Sequence, residues 1–177
     1  MNLHEPVFLG NELKYIKRCF KENLISIGTF VNKFEDKIKK YLSIKYAVAV
    51  NSGTSALHIS LKIAGAKIKT EVIAPSITFI APINAILYNN ATPIFMDVDN
   101  NLNIDAKKTI DFINRNTFYK NNYTFNKKTK NKIVAIIIVH VFGNAAEIHN
   151  LVKICKERNI KVIEDSSESL GTKYKEG

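Results

Sequence analysis

The chain has 177 residues and a mass of 20.0 kDa, which suits one globular domain or part of a larger one. Hydrophobic residues make up 46% and charged residues 24%, which excludes intrinsic disorder as the main state. The longest purely apolar run, residues 133–139, is too short to cross a bilayer, and the first residues show no signal-peptide pattern. We therefore expect a cytoplasmic domain with no membrane contact.

The net charge of +10 comes almost entirely from lysine, because only three of the 26 basic residues are arginine. Nucleic-acid-binding proteins concentrate basic residues on one face, whereas these lysines are spread along the chain. We expect no nucleic-acid partner, although a positive field would attract an anionic substrate. Nucleic-acid binding remains a minor alternative, which predicts an affinity that falls steeply with salt.

Apolar residues at three- and four-residue spacing, together with capping residues, predict helices over residues 11–21, 29–41, 54–64, 78–88, 105–114 and 146–158. Asp105 is the expected cap of its helix, and Pro82 lies early in its helix or kinks it. Short apolar runs predict strands over residues 46–50, 71–74, 92–97, 133–139 and 160–164, and the Asn- and Lys-rich residues 114–132 predict a long surface loop.

Strands and helices alternate along the chain, which predicts an α/β fold with a mostly parallel sheet and helices on its faces. No linker divides the sequence, so residues 1–177 are one domain or one piece of a domain. In such sheets ligands bind beyond the carboxyl ends of the strands. Chemically useful side chains are therefore expected in the segments that follow predicted strands.

The first such segment is Asn-Ser-Gly-Thr-Ser-Ala-Leu, residues 51–57, between a predicted strand and a predicted helix. Gly53 permits a tight turn, and Thr54 and Ser55 offer hydroxyl and backbone N–H groups at a helix N-terminus. This combination is suited to binding an anion such as phosphate. An ordinary helix cap explains the same residues equally well.

Two further segments follow predicted strands. Phe79 comes after residues 71–74, where its ring either stacks on a flat ligand or belongs to the core. Asp165 directly follows residues 160–164 and either caps a helix or pairs with a protonated ring nitrogen. A phosphate cradle, an aromatic platform and a carboxylate for a pyridinium nitrogen are together what pyridoxal phosphate (PLP) requires of its protein.

The same segments resemble the DegT/DnrJ/StrS family of PLP-dependent sugar aminotransferases, in particular the nucleotide-sugar 4-aminotransferases of the legionaminic acid pathway. The resemblance extends along the chain through residues 4–12, 26–35, 78–86, 93–99, 140–144 and 164–171. It implies the fold-type I (aspartate aminotransferase-like) large domain. It also implies that residues 1–177 are the N-terminal part of that domain.

Carried over residue by residue, the resemblance assigns the phosphate contacts to Thr54 and Ser55 in the turn at Gly53. It assigns the ring stack to Phe79 and the bond to the ring nitrogen to Asp165. Glu168 occupies the position at which many relatives have Gln or His near the phenolic oxygen of the cofactor. Residues 68–71, Ile-Lys-Thr-Glu, depart from the Gly-Asp-Glu common in the family, which changes only a surface turn.

The resemblance places the Schiff-base lysine, the phosphate-binding serine before it and the small domain beyond Gly177, so the catalytic lysine is unknown here. The complete enzyme is expected to be a homodimer. It would transfer an amino group from an amino acid, most simply glutamate, to C4 of a nucleotide-linked 4-keto-6-deoxy sugar for surface glycan synthesis. The alternatives are a sugar dehydratase on the same fold, with histidine in place of that lysine, and a non-catalytic truncated product.

Histidines and cysteines point to no metal site, because no group of them has ligand spacing. His58 is expected to pack or cap within its helix, and His149 to lie on the surface. His140 ends a predicted strand and is either a structural histidine or one that faces the site.

Overall fold

The computed structural model describes residues 7–23 and 28–173, which fall into two compact units, residues 1–50 and 51–177. Residues 4–6 and 26–27, which take part in the family resemblance, lie outside the described residues. The described ranges contain six α-helices, six strands and one short 3-10 helix, Val141–Gly143.

The first unit contains helices α1 (Glu12–Lys21) and α2 (Thr29–Leu42), close to the bounds predicted from apolar spacing. The rings of Tyr15 and Phe30 lie 5.1 Å apart between centroids and join the two helices. The predicted buried strand over residues 46–50 is wrong, because these residues form no strand and Tyr46 and Val48 are exposed. A strand needs a neighbour for its backbone groups, and the described residues supply none for this segment.

The second unit is an α/β layer structure around one sheet. Its helices are α3 (Gly53–Ile63), α4 (Ile80–Tyr88), α5 (Ala106–Asn116) and α6 (His149–Glu157). Its strands are β1 (Thr70–Pro75), β2 (Thr92–Met96), β3 (Thr117–Lys120), β4 (Tyr123–Asn126), β5 (Lys132–Val139) and β6 (Lys161–Asp165).

The sheet order is β2-β1-β5-β4-β3, and β6 also pairs with β5. The pairs β1–β2, β1–β5 and β5–β6 are parallel, as predicted, while β3–β4 and β4–β5 are antiparallel, so the sheet is mixed. Strand β5 is buried on both faces: Ile137 packs with the α3 and α4 core, and Ile136 and Ile138 pack with the α5 and α6 core. This double burial was predicted from the β-branched run.

The surface loop predicted over residues 114–132 is wrong for most of its length, because residues 117–126 form the hairpin β3–β4. Asn121 and Asn122 both have positive φ, 51° and 64°, as the two central residues of a type I′ turn require. Thr124 is completely buried, and its hydroxyl donates to the carbonyl of Arg158. The hairpin is therefore part of the packed sheet.

Helix ends explain the remaining differences from prediction. Asp105 caps α5 as predicted, accepting a hydrogen bond from the Lys108 N–H at 2.9 Å. Pro82 is the third residue of α4, where an N–H is not needed, so it does not kink the helix. Helix α6 begins at His149 rather than at residue 146, and the Ala146 N–H donates to the side chain of His140.

Candidate active site

The candidate site lies in the second unit, at the sheet edge where the parallel strands β1, β5 and β6 end. The pairing of Val139 with Asp165 places the ends of β5 and β6 side by side. The pairing of β5 with β1 brings the segment that leads to Phe79 to the same edge. All three segments singled out from the sequence thus start from this edge or from the helix that faces it.

Helix α3 begins at Gly53, one residue earlier than predicted, and its cap is Ser52. Ser52 Oγ accepts a hydrogen bond from the Ser55 N–H at 3.2 Å and lies 3.0 Å from Ser55 Oγ. The first backbone bond of the helix runs from Ala56 N–H to Ser52 carbonyl oxygen. The N–H groups of Gly53 and Thr54 precede that bond, so they are available to an anion at the helix start.

Asp165 is linked to the start of α3 through Ser167. Both the N–H and the hydroxyl of Ser167 donate to Asp165 Oδ1, at 3.1 and 2.6 Å. A Cβ built on Gly53 would lie 3.5 Å from Ser167 Oγ. The described residues donate two hydrogen bonds to this carboxylate, and both are to Oδ1. Oδ2 is therefore free to accept a hydrogen bond from a ligand.

Two consecutive acids end β6 and point to opposite faces of the sheet. Ile163 packs in the α3 and α4 core and Val162 in the α5 and α6 core. Since side chains alternate along a strand, Asp165 projects on the α3 side and Glu164 on the α5 and α6 side. Only Asp165 therefore faces the helix that could bind phosphate.

Glu164 pairs with His140, whose Nε2 lies 3.0 Å from Glu164 Oε2. The Nδ1 atom of His140 accepts the Ala146 N–H at 3.2 Å, so Nε2 carries the proton that is donated to Glu164. The hydrogen bond from His140 lowers the pKa of Glu164, against an opposing contribution from partial burial. Both ring nitrogens are used, so His140 is the structural histidine among the two alternatives.

Phe79 caps α4 through an extended backbone and leaves 78% of its surface exposed, so it does not belong to the core of the described residues. Its neighbour Thr78 was not singled out from the sequence. The hydroxyl oxygen of Thr78 is buried, and no described residue is within hydrogen-bond reach of it. A buried hydroxyl without a partner beside an exposed ring is typical of a ligand site.

Glu168 lies in the turn after β6 and braces the turn after β5. Its Oε2 accepts the Phe142 N–H at 2.7 Å. The buried side chain of Asn103 holds the same turn from a different loop, accepting the Val141 N–H at 3.0 Å. Asn103 was missed in the sequence because nothing local distinguishes it from the other asparagines of this chain.

Two further histidines, His58 and His149, lie within the described residues. The ring of His58 contacts that of Tyr88 edge-on, 6.0 Å between centroids, and its carbonyl accepts from Asn89, in line with a packing role. His149 is exposed, as predicted. Within residues 7–23 and 28–173, no three His, Cys, Asp or Glu side chains are grouped closely enough to bind a metal ion. In the same ranges no helix is both long and apolar enough to span a membrane.

Residues 9–177 match the profile of the DegT/DnrJ/EryC1/StrS aminotransferase family. GDP-perosamine synthase of Escherichia coli O157:H7 is 36% identical over 174 residues, which cover 98% of this chain and 44% of the synthase. EpsN of Bacillus subtilis, a putative pyridoxal phosphate-dependent aminotransferase, is 34% identical over 98% of this chain and 42% of its own length. The chain thus spans about two-fifths of the length of these relatives.

Solved structures share the fold. An aminotransferase from Psychrobacter cryohalolentis superposes with a TM-score of 0.79 at 27% identity, over 96% of this chain and 40% of its own. An E. coli GDP-4-keto-6-deoxy-D-mannose-3-dehydratase with bound hydrated PLP gives 0.80 at 24% identity, over 98% and 42%. The predicted fold-type I architecture is confirmed, and PLP is confirmed as the cofactor of the family.

Proposed function

The chain belongs to the DegT/DnrJ/EryC1/StrS aminotransferase family, and from that premise we propose that it is the N-terminal part of a PLP-dependent sugar aminotransferase. The enzyme transfers an amino group from an amino acid, glutamate in this proposal, to C4 of a nucleotide-linked 4-keto-6-deoxy sugar. Its product supplies a surface glycan of the legionaminic acid or perosamine type. The names of the relatives, among them a GDP-perosamine synthase, support this substrate class.

The observation that carries the proposal is the position of Ser167, which lies beside Gly53 and donates a hydrogen bond to Asp165. It brings a helix N-terminus with available N–H groups next to a carboxylate whose Oδ2 has no described partner. An anion and a protonated ring nitrogen on one ligand can be bound together only where these two features share one edge of the sheet. PLP carries both groups.

The residues present fit the cofactor. The N–H groups of Gly53 and Thr54 and the hydroxyls of Thr54 and Ser55 bind its phosphate at the positive end of α3. The exposed ring of Phe79 stacks on the pyridine ring, and Asp165 accepts a hydrogen bond from the protonated ring nitrogen. When bound, PLP supplies an electron sink that allows an amino group to move between donor and acceptor.

Asp165 has the central role among these residues, because a carboxylate held beside the ring nitrogen keeps that nitrogen protonated. Ser167 fixes the carboxylate in one orientation by donating twice to Oδ1. Glu168, held by the Phe142 N–H, lies in the same turn and faces the phenolic side of the cofactor in this proposal.

The rest of the enzyme is part of the proposal. The reacting lysine, a second phosphate-binding serine and the small domain follow Gly177, and the full-length protein is a cytoplasmic homodimer without nucleic-acid or membrane partners. The 177-residue chain alone is then expected to bind the cofactor without turnover. A dehydratase would have histidine at the position of the reacting lysine, so the identity of that downstream residue separates the two activities.

The test uses pyridoxamine phosphate, which cannot react with lysine and so reports only the contacts described here. The purified chain should bind pyridoxamine phosphate, measured by isothermal titration calorimetry, and should bind pyridoxamine, which has no phosphate, at least about tenfold more weakly. Circular dichroism confirms that the chain is folded. A folded chain that binds neither compound, or binds both equally, contradicts the assignment of the α3 N-terminus.

A further inference from the structure

The turn that follows β5 has an unusual backbone. Phe142 has φ 53° and ψ 27°, in the left-handed region that large side chains rarely adopt. Gly143 follows with φ 80°, so two successive residues are left-handed. A Cβ on Gly143 would lie 3.1 Å from the carbonyl oxygen of Glu168, which favours glycine there. No comparable close contact explains why Phe142 adopts a left-handed backbone conformation.

Side chains from two other segments hold this turn in place. Asn103, which is 1% exposed, accepts from the Val141 N–H at 3.0 Å and donates to the Asn144 carbonyl at 3.2 Å. From the turn after β6, Glu168 accepts the Phe142 N–H and Thr172 donates to the Gly143 carbonyl at 3.0 Å. The turn is therefore fixed at each of its four residues, 141–144.

The ring of Phe142 is not buried by the other described residues. It is 67% exposed, so burial of the ring does not offset the backbone strain. Strained residues persist where the surroundings over-determine them, and they are concentrated at ligand sites. The hydrogen bonds that fix the turn thus indicate that the Phe142 ring is held in position to contact a ligand.

The position and charge of the surroundings indicate which ligand. The His140 N–H donates to the Asp165 carbonyl, at 3.3 Å, so the turn starts beside the residue assigned to the ring nitrogen. Glu168 adds a second carboxylate to this edge. A carboxylate beside this turn that is not assigned to the ring nitrogen can accept hydrogen bonds from the hydroxyl groups of a neutral sugar. An aromatic ring beside carboxylates suits a sugar ring with one apolar face.

We propose that Phe142 is a substrate-contacting residue whose ring packs against the apolar face of the sugar ring of the acceptor. The proposal rests on the proposed aminotransferase function and deepens it by assigning one contact of the acceptor. Asn103, Glu168 and Thr172 are positioning residues in this respect, because they act on the turn that presents the ring.

The first measurement concerns the free chain. Asn adopts the left-handed region readily, so Phe142→Asn should raise the melting temperature by about 2 to 4 °C, as expected for the removal of strain in a protein of this size. Phe95→Asn, at another exposed Phe on strand β2, is the control and should not raise it. A lower melting temperature for Phe142→Asn would show that the ring is a packing residue and would overturn the proposal.

The second measurement concerns the acceptor in the full-length enzyme. Phe142→Asn should lower kcat/KM for the nucleotide-linked 4-keto sugar by about tenfold, the loss of one aromatic contact, and Phe142→Tyr should restore most of it. The kcat/KM for the amino donor and the affinity for pyridoxamine phosphate should each stay within about twofold.

An unchanged kcat/KM for the sugar overturns the proposal, and so does an equal loss for both substrates. Failure of the proposed function gives a different result: wild-type protein then binds no pyridoxamine phosphate, whatever residue stands at position 142. The two ideas can therefore fail separately.

Discussion

Polar groups at the amino ends of the strands are hydrogen-bonded within the protein, whereas some at the carboxyl ends have no partner among the described residues. At the amino end of β1, Glu71 is only 2% exposed, yet its two carboxylate oxygens accept from Asn126 at 2.9 Å and from Asn131 at 3.5 Å. At the carboxyl end of the same strand and its neighbours, the Thr78 hydroxyl and Asp165 Oδ2 receive no hydrogen bond from the described residues.

This difference separates groups that complete the fold from groups that remain available. An unpaired buried polar group is costly, so native proteins rarely keep one without a reason. The Glu71 cluster joins β1, β4 and the residues before β5, and folding alone satisfies it. At the carboxyl edge the buried Thr78 hydroxyl has no partner among the described residues and Asp165 Oδ2 is free to accept a hydrogen bond from a ligand, and the following predictions test this contrast.

The largest effect is expected from Asp165→Asn compared with Glu164→Gln. Both substitutions remove one charge and keep the shape of the side chain, but they act on opposite faces of β6. In the full-length enzyme, Asp165→Asn should reduce turnover by roughly 10²- to 10³-fold, because the ring nitrogen loses its charged partner, whereas Glu164→Gln should leave it nearly unchanged. Similar losses for the two variants would contradict the assignment of Asp165.

At the opposite edge, Asn126→Ala should destabilise the chain by about 2 to 3 kcal/mol, because it leaves the buried Glu71 carboxylate without its shorter hydrogen bond. Denaturant unfolding measures this change. Asn131→Ala, which removes the longer bond, should have the smaller effect. Pyridoxamine phosphate affinity per folded molecule should not change in either variant, and a loss of affinity would mean that the two edges are coupled.

Phe79→Ala should have the opposite effect to Asn126→Ala, with a loss of cofactor affinity and little change in stability. Because most of the ring is exposed, the free energy of unfolding should change by less than about 0.5 kcal/mol, while pyridoxamine phosphate binding should weaken by about 1 kcal/mol through the lost stack. Calorimetry gives the affinity, and denaturant unfolding gives the stability. A stability loss without a change in affinity would return Phe79 to a packing role.

The smallest effect concerns the pH dependence of the Glu164–His140 pair. The pKa of Glu164 is lower in the folded chain than in the unfolded chain, so the pair stabilises the fold above the ordinary pKa of glutamate. That stability is lost as the pH falls through the lowered value. Because the carboxylate is half exposed, wild type and Glu164→Gln should differ by less than about 1 kcal/mol at pH 7. The difference should vanish in acid, and a difference that grows toward low pH would refute the pairing.

The sequence predicted the elements whose pattern is local. Helical spacing located α1, α2, α3 and α5 within two residues, and the apolar run 133–139 located β5. The strand proposed for residues 46–50 was wrong, because apolar character cannot reveal whether a pairing strand is present. The hairpin β3–β4 was missed because its asparagines resemble loop composition, although two adjacent asparagines are also suited to a type I′ turn.

The candidate site divides in the same way. Phe79 and Asp165 could be selected because they follow predicted strands that the structure contains. Gly53, Thr54 and Ser55 were selected because they follow the predicted strand over residues 46–50, which does not form, although the predicted helix after it does. Their roles toward the cofactor remain predictions. Ser52, Thr78 and Asn103 could not be selected from the sequence. The cap of α3, the burial of the Thr78 hydroxyl and the hydrogen bond from Asn103 to a distant turn are apparent only in the folded chain.

The pair on the far face of β6 has a consequence for the near face. Side chains along a strand alternate, so a slip of β6 by one residue against β5 would exchange the directions of Glu164 and Asp165. His140, at the end of β5, can bond Glu164 only in the observed register, in which Val139 faces Asp165. The histidine that takes no part in the proposed chemistry thus bonds the acid on the far face only in this alignment of the two strands, and that alignment determines which of two adjacent acids meets the ligand.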